Sequence, residues 1–343
     1  MVSVVAIVGV CEPEGRRYAR RLATAHHWPL VEALRSVPSA RLAASVEAAV
    51  GGRGGTVAVF DAAGRWGSAE LIGALGSAGA GSAEGSAADD GEARLAQLVA
   101  VVDVAHFFDD LADDAGAAEG ATTPTERLVE SIELATTVVL VNWEPLSTPD
   151  LSMHLALVNH LNPRARLRVD QPAASLDLEL GEIARDQDGA GWMALINRDF
   201  APYMTDRRVS GFVYEQVRPF HAGRLAAALE GEIGSGRYGR LVRSAGFCTL
   251  ASRPGILAQW HQVGGVVGLE PLAAPVGGGM LAIGQELGVV GLDLDREGLV
   301  GALDACALTD AELAEGPFAW MAYEDPLPAW ESVGPNGPGG VAS

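Results

Sequence analysis

The sequence predicts an α/β domain, a parallel sheet with flanking helices, followed by a small α+β domain. In the first half, apolar strand-like runs alternate with helical patterns, which is typical of βαβ units and a parallel sheet. Beyond about residue 207, strand-like runs cluster between two helical patterns instead. The 343 residues, 48% of them hydrophobic, suffice for two domains of ordinary size, each with its own core.

The first domain is expected to span residues 1–185. Its apolar runs predict strands at 4–10, 56–60, 98–102, 137–141 and 165–169. Amphipathic patterns predict the intervening helices at 13–25, 40–50, 68–75, 125–135 and 149–161. A Gly/Ala/Ser-rich stretch at about 76–92 predicts a mobile loop, and 113–123 predicts a similar, shorter insertion.

The second domain is expected at 207–330, after a connector at 186–206. Its apolar patterns predict strands at 209–217, 241–251, 258–267 and 280–286, and helices at 223–230 and 296–306. The Gly/Pro-rich residues 331–343 predict a flexible tail.

Charge and cysteine content exclude several classes of protein. The formal net charge of −20 argues against direct binding to nucleic acid or an anionic membrane, and favours a protein partner with a basic surface. Cys11, Cys248 and Cys306 are scattered, so they predict neither a disulfide framework nor a CxxC metal site. Residues 2–10 read as a strand and not as a signal peptide, and no run has the length of a membrane span. We therefore expect a cytoplasmic protein.

Several motifs in the second half resemble the C-terminal domain of CobW-like proteins. The run 209–225, VSGFVYEQVRPFHAGRL, is similar to a strand leading into the family's RPFHPxRL helix start. Residues 243–247, RSAGF, resemble its RSKGF strand, with Ala245 in place of the lysine, and 325–330, DPLPAW, resemble its closing DPFPAW. The resemblance implies a family of P-loop GTPases that deliver or manage metals, often zinc or cobalt.

The first half resembles the GTPase domain of that family in layout but not in chemistry. All 24 Lys+Arg residues are arginine, so no lysine is present to contact the β- and γ-phosphates. Gly9 and Gly15 are six residues apart where a P-loop has five, and Arg16 and Arg17 take the places of its Lys and Thr. An anion held by either arginine is one interpretation. The other is an ordinary helix start, whose dipole the acids of 12–14 complement.

Two further GTPase motifs are altered. Residues 60–64 resemble the family's ExxG switch, with Asp61 replacing Glu, and 142–145 read Asn-Trp-Glu-Pro where the family has NKxD. Pro145 therefore stands where a carboxylate would read the guanine. The resemblance implies a vestigial nucleotide pocket made of Gly9, Gly15, Arg16, Arg17, Asp61, Gly64 and Asn142.

Local spacing predicts no dedicated metal site. The family's CxCC motif lies between P-loop and switch, but residues 16–60 contain no cysteine. His26 and His27 are adjacent and would point about 100° apart on a helix, while His154 and His160 would face different directions. The acids at 109–110 and 113–114 are interpreted as a solvated run or a weak divalent-ion site. No cofactor is expected, with GTP/Mg²⁺ or zinc as the alternatives.

The best-matching motifs favour the second domain as the part that binds a partner. Arg218, His221, Arg224 and Arg243 are the candidate partner-binding residues, although His221 could instead cap a helix and the arginines could brace the domain. We expect no catalytic residue. The function indicated is a non-catalytic pseudo-GTPase that binds a protein partner, in zinc homeostasis or in ribosome hibernation under zinc limitation. A GTP-hydrolysing metallochaperone with an atypical nucleotide site is the alternative.

Overall fold

The computed structural model describes residues 2–32, 37–51, 56–77, 93–112, 122–171, 178–272 and 284–330. The chain divides into two compact units, residues 1–194 with 200–206, and residues 195–199 with 207–343. The loop expected at 76–92 and the insertion expected at 113–123 lie almost wholly outside the described residues, as does the whole tail at 331–343. Each unit is built around its own sheet.

The first unit contains a six-stranded sheet in the order β2-β3-β1-β4-β5-β6. Every pairing in it is parallel, because a helix connects each strand to the next. The strands are Val2–Val8 (β1), Leu30–Glu32 (β2), Val57–Asp61 (β3), Ala93–Asp103 (β4), Thr137–Val141 (β5) and Arg166–Val169 (β6).

Helices flank this sheet and bury one face each against it. Val5 and Ile7 of β1 pack against Leu22 of the first helix in a fully buried cluster. The helices are Glu12–His26 (α1), Leu42–Val50 (α2, after a 3₁₀ turn at Ser39–Arg41), Ser68–Leu75 (α3), Phe107–Asp110 (α4), Pro124–Leu134 (α5) and Thr148–Leu161 (α6). The next helix along the chain, Gly191–Ile196 (α7), contains residues of both units.

The start of α5 illustrates how the sequence fixes an element locally. The Thr123 hydroxyl accepts from the Glu126 N–H at 3.1 Å, and the Glu126 carboxylate accepts from the Thr123 N–H at 2.7 Å. This capping box satisfies two of the donors that a helix start leaves without partners, and Pro124 supplies a preset φ at the first position.

The second unit contains a five-stranded antiparallel sheet in the order β10-β9-β8-β11-β7. Its core is centred on Trp260, whose indole N–H donates to the Ser244 hydroxyl at 2.8 Å, and on Tyr214 and Phe220. The strands are Val209–Gln216 (β7), Arg240–Thr249 (β8), Leu257–Val263 (β9), Val266–Pro271 (β10) and Gln285–Leu292 (β11). The helices are Ala222–Ala228 (α8, continued by an irregular turn at Leu229–Ile233), Arg296–Cys306 (α9), Asp310–Glu315 (α10) and Pro317–Trp320 (α11).

The predicted fold class is confirmed, with two corrections in the second unit. The single strand expected at 258–267 is a hairpin of β9 and β10, because Gly264 adopts a left-handed φ of 54° and turns the chain. The strand expected at 280–286 is placed too early, since β11 runs to Leu292 through two glycines that obscure its pattern. Among the described residues, no helix combines the length and apolarity needed to cross a bilayer.

Candidate functional site

The candidate site of the first unit lies where β1, β3, β4 and β5 end. Ligands of open parallel sheets bind at the carboxyl ends of the strands. Here β1 leads into the turn 9–11, β3 into 62–64, and β5 into Asn142, while β4 ends at Asp103. These segments contain Gly9, Gly64 and Asn142 of the predicted nucleotide pocket, Asp61 ends β3, and Gly15, Arg16 and Arg17 lie in α1.

Two glycines shape the turns after β1 and β3. Gly9 has a φ of 136°, and a Cβ there would lie 2.4 Å from the Val101 carbonyl oxygen. Gly64 has a φ of 72°, and its N–H donates to the Gly9 carbonyl at 2.8 Å. A Cβ on Gly64 would lie 2.4 Å from Cγ of Glu12, so the Glu12 side chain packs directly over this glycine.

The third predicted glycine has a packing role. Gly15 lies in the first turns of α1, and a Cβ there would come within 2.6 Å of Cβ of Ala63. The absence of a side chain at Gly15 therefore lets α1 approach the turn that follows β3.

Both arginines predicted to face phosphate lie against carboxylates. Arg16 places Nε 3.5 Å from Oδ2 of Asp61 and an Nη atom 3.6 Å from a Glu12 oxygen. Arg17, largely exposed, lies 3.6 Å from a Glu14 oxygen. Burial raises the pKa of Asp61, and Arg16 opposes that rise. Arg16 thus compensates a buried carboxylate at the end of β3.

Asn142 orients the carboxylate at the end of β4. It adopts a left-handed φ of 56°, and its Nδ2 donates to Oδ2 of Asp103 at 2.9 Å. The Ala105 N–H donates to the other oxygen of Asp103 at 3.0 Å, and His106 Nδ1 lies 2.9 Å from Oδ2. Asp103 is 4% exposed, so this buried carboxylate is fixed by three contacts.

A thiol and two carboxylates converge beside these contacts. Ligand atoms of Cys11, Glu14 and Asp103 all lie within 4.8 Å of one another, a group called the strand-end cluster below. The Cys11 thiol also donates to Oδ2 of Asp110 at 3.7 Å. Burial, then the negative charges of Asp110, Asp103 and Glu14, raise the pKa of Cys11 to about 12. The thiol is therefore protonated at neutral pH.

Sequence reasoning missed this cluster because Asp103 is far from Cys11 and Glu14 along the chain. Cys11 and Asp103 come together only through the parallel pairing of β1 with β4. A usable signal existed, since Asp103 directly follows a buried strand and must lie at the same sheet edge as the residues after β1. Within the described segments, this is the only group of three or more Cys, His, Asp or Glu donors close enough to share a metal ion.

The four histidines considered as metal ligands in the sequence analysis do not join the cluster. His26 ends α1 and stacks on Trp28 with ring centres 4.2 Å apart, and His27 adopts a left-handed φ of 57°. His154 and His160 are buried on α6, and each Nδ1–H donates at 2.8 Å to the carbonyl four residues earlier. Burial lowers the pKa of His160.

A separate cavity of 390 Å³ lies at the opposite edge of this sheet. Thr136, Thr137 and Arg166, at the amino ends of β5 and β6, line it together with Glu179. Arg166 and Glu179 form an ion pair at 2.6 Å across its wall. The cavity takes no part in the strand-end cluster.

In the second unit, two of the predicted partner-binding arginines contact carboxylates of their own domain. Arg224 binds Glu312 with both Nη atoms, at 2.7 and 2.9 Å, and donates to the Ala307 carbonyl at 2.9 Å. Arg218 binds Asp310 at 2.6 Å. Both contacts join the β7–α8 region to the residues after α9.

The other two predicted residues also make internal contacts. His221 caps α8 by accepting from the Arg224 N–H at 3.4 Å, and its ring stacks on Tyr323. Arg243 is 5% exposed and lies 3.1 Å from His261 Nδ1. A role of these four residues in partner binding stays a prediction.

The residues after α9, 307–330, fold back over the second unit through polar contacts. Arg253 binds both oxygens of Asp325, at 2.7 and 2.9 Å, and stacks over Trp330 at 4.2 Å. The Trp330 N–H donates to the Leu269 carbonyl at 2.9 Å. We call residues 307–330 the C-terminal strap.

Comparison with known proteins identifies the second unit. Residues 209–307 match the family model of the cobalamin synthesis protein cobW C-terminal domain. The second unit contains a CobW C-terminal domain. This match confirms the CobW-like family suggested by the RPFH and RSAGF motifs, both of which lie inside it.

The names of similar proteins refer to zinc. The chain is 26% identical over 243 residues to a zinc-regulated GTPase metalloprotein activator 1 from Dictyostelium discoideum, an alignment covering 60% of this chain. The chain spans 50% of the length of that relative. Among solved structures, it is similar to Zn(II)-bound YjiA GTPase from E. coli at 12% identity, with 90% of this chain and 99% of that chain covered and a TM-score of 0.34. A Zn(II)-bound triple mutant of YjiA gives 12% identity, 89% and 99% coverage and a TM-score of 0.36.

Proposed function

We propose that this CobW-like protein is a pseudo-GTPase that acts by binding a protein partner, in zinc homeostasis or in ribosome hibernation under zinc limitation. The observation that carries the pseudo-GTPase part is the position of Arg16. This residue takes the place of the P-loop lysine, yet its guanidinium lies against Asp61 and Glu12. The charge of Arg16 is therefore balanced by carboxylates of the protein itself and not by a phosphate.

The surroundings of the turn do not fit a nucleoside triphosphate. Glu12 packs over Gly64, and Glu14, Asp103 and Asp110 add carboxylates at the same sheet edge. Phosphate oxygens are favoured by backbone N–H groups, a lysine and a hydroxyl-held Mg²⁺ at such a loop. Repulsion between these carboxylates and the phosphate oxygens opposes triphosphate binding. No step of a hydrolysis reaction is therefore assigned to these residues.

A melting experiment tests this part. A ligand present at a hundredfold excess over its Kd stabilises the native state by about 2.7 kcal/mol. We expect the melting midpoint of the full chain to be the same with and without GTP and Mg²⁺. The double variant Glu12→Gln, Glu14→Gln should also melt at the same midpoint with and without GTP and Mg²⁺, because removing the two negative charges does not restore the lysine or the hydroxyl. A rise that EDTA abolishes would instead support the second candidate, a GTP-hydrolysing metallochaperone, the activity class named for the relatives.

The partner-binding part rests on an exposed apolar pair in the C-terminal strap. Phe318 is 90% exposed and Met321 is 52% exposed, and their spacing of three residues places them on one side of α11 and its end. Every charged residue after Arg296 is acidic. We call Phe318, Met321 and the neighbouring acids Glu315 and Glu324 the Phe318 face.

The chemistry of the Phe318 face selects the kind of partner. An exposed aromatic side chain in an acidic stretch of sequence fits a basic protein segment with an apolar anchor, because the anchor buries the ring while the charges attract. Basic ribosome-associated proteins satisfy this description. The net charge of −20 repels RNA, so a direct contact with nucleic acid is not part of the proposal.

Matched substitutions test the face. We expect Phe318→Ser to abolish co-purification of a basic partner from zinc-starved cells, with the partner identified by mass spectrometry and its binding then measured with purified proteins. Val217→Ser is the control, since Val217 is 86% exposed in the same unit but lies in the loop after β7. If both variants bind the partner equally well, the interaction takes place at another surface.

A further inference from the structure

We propose that Cys11, Glu14 and Asp103 form a binding site for a zinc-class divalent cation at the carboxyl end of the first sheet. The proposal rests on the link to zinc in the proposed function but not on partner binding. The three ligands come from three different elements: the turn after β1, the first turn of α1, and the end of β4. The start of α1 places Cys11 and Glu14 near each other, and the pairing of β1 with β4 adds Asp103.

The geometry is close to that of a bound ion. The three ligand atoms lie within 4.8 Å of one another, whereas ligands around tetrahedral zinc, about 2.0–2.3 Å from the metal, are about 3.5 Å apart. The proposal requires the Cys11 and Glu14 side chains to rotate so that their ligand atoms come closer to that of Asp103. Glu14 has only a long contact of 3.6 Å to Arg17, whose side chain is 68% exposed and free to swing into solvent.

The donor set selects the class of metal. One thiolate and two carboxylates suit zinc and cobalt(II), while magnesium and calcium prefer sites made of oxygen alone. Cysteine binds as the thiolate, so its proton leaves to water when the metal arrives. A bound cation would balance the negative charge of the carboxylates around the thiol. Asp110 is placed to supply a fourth ligand or to hold a metal-bound water, because its Oδ2 lies 3.7 Å from Cys11 Sγ.

The residues around Asp103 act as the outer shell of such a site. Asn142 and the Ala105 N–H fix the orientation of its carboxylate, and His106 contacts the same carboxylate from solvent. Metal ligands in proteins are held by outer contacts of this kind. Asn142, predicted from sequence as part of a nucleotide pocket, is thereby a positioning residue for a metal ligand.

Cobalt(II) provides a direct probe, because a cobalt–thiolate bond gives a charge-transfer absorption band. Cys248 and Cys306 are fully buried in the second unit, so Cys11 is the half-exposed thiol of the three. We expect untagged full-length protein, freed of metal by a chelator, to bind one cobalt(II) per chain with this band. Zinc should displace the cobalt and should protect Cys11 from alkylation.

Variants distinguish the proposed ligands from general negative charge. Cys11→Ser should abolish the charge-transfer band, and Glu14→Gln should weaken zinc binding by about tenfold or more. Asp109→Asn is the matched control, because it removes an exposed acid on α4 that lies outside the strand-end cluster and should leave the affinity unchanged. Both ligand variants are expected to fold, since neither residue is fully buried.

Two results would overturn the site: no saturable cobalt band in the wild-type chain, or equal loss of zinc affinity in Asp109→Asn and Glu14→Gln. Either can occur while partner binding through the Phe318 face persists, and loss of partner binding in Phe318→Ser leaves the cobalt band intact if the site exists. Failure of this proposal and failure of the proposed function are therefore separable.

Discussion

The arginines that belong to or contact the family motifs differ between the two units in how firmly they are held. In the second unit, Arg224 and Arg253 each bind both oxygens of a carboxylate at 2.7–2.9 Å, and each adds a carbonyl contact. In the first unit, Arg16 and Arg17 lie 3.5–3.6 Å from their acids and are more exposed. The RPFH and DPLPAW motifs that carry the family resemblance thus brace a domain, whereas Arg16 and Arg17, after the turn that follows β1, make longer contacts.

This difference teaches that the two units are held locally by different kinds of contact. Gly9 and Gly64 shape the turns at the ends of β1 and β3 through a close approach to the Val101 carbonyl and a hydrogen bond between the two turns. Backbone contacts therefore define these turns of the first unit, whereas arginine–carboxylate pairs brace the motifs of the second.

The largest expected effect tests the backbone of the turn at Gly9 in the first unit. Gly9→Ala should destabilise the protein by about 3 kcal/mol, because its Cβ would lie 2.4 Å from the Val101 carbonyl at a φ of 136°. Gly73→Ala in α3 is the control, since no atom lies within 4 Å of a Cβ there, and should stabilise by up to about 1 kcal/mol. Denaturant unfolding of both variants measures the contrast. A Gly9→Ala protein as stable as wild type would mean that the turn is not constrained.

The second test concerns the bracing of the second unit. Arg253→Ala should cost about 2–3 kcal/mol, because it leaves the mostly buried Asp325 without its guanidinium partner and removes the stack on Trp330. Arg237→Ala breaks an exposed pair with Glu232 and should cost less than about 1 kcal/mol. Equal costs in denaturant unfolding would refute the distinction between braced and exposed arginines.

The smallest effect is a pH dependence of the second unit. The side-chain hydrogen bond from Arg224 lowers the pKa of Glu312 from 4.5 to about 2. Because the folded-state pKa is below the unfolded one, the resulting stability is present above about pH 4.5 and is lost as the pH falls towards 2. The loss should be about 1 kcal/mol after allowance for solvent screening. Glu312→Gln should remove this part of the acid dependence in unfolding measured between these pH values, and an unchanged profile would contradict it.

Local signals in the sequence predicted some elements to the residue. The bounds of α3, β5 and α9 agree with those predicted. The start of α9 is marked by a clear cap, because the Asp295 side chain accepts from the Gly298 N–H at 3.0 Å. Short elements such as β2 and α7 carry too few residues for a periodic pattern. Glycines at 288 and 291 hid the second half of β11.

The candidate site was predictable only in part. The sequence indicated the turn at Gly9 and the loss of the lysine, but local spacing argued against a metal site. Cys11 and Asp103 are brought together by strand pairing across 92 positions, which no spacing rule detects. Likewise, the sequence could suggest that Arg224 braces the domain, but only the fold identifies Glu312 as its partner.

The strand order of the second unit has a consequence for synthesis on the ribosome. Among the described residues, β7 pairs with β11 alone, in a register that joins Gln216 to Gln285. Strands β8, β9 and β10 follow one another as antiparallel neighbours and can associate as they emerge. Strand β7, although made first, must wait for the last strand, with the apolar side chains of Phe212 and Tyr214 unburied until then. The nascent chain therefore carries an unpaired strand with exposed apolar side chains while about 70 further residues are translated. During this interval we expect the domain to be most accessible to a chaperone and most prone to aggregation.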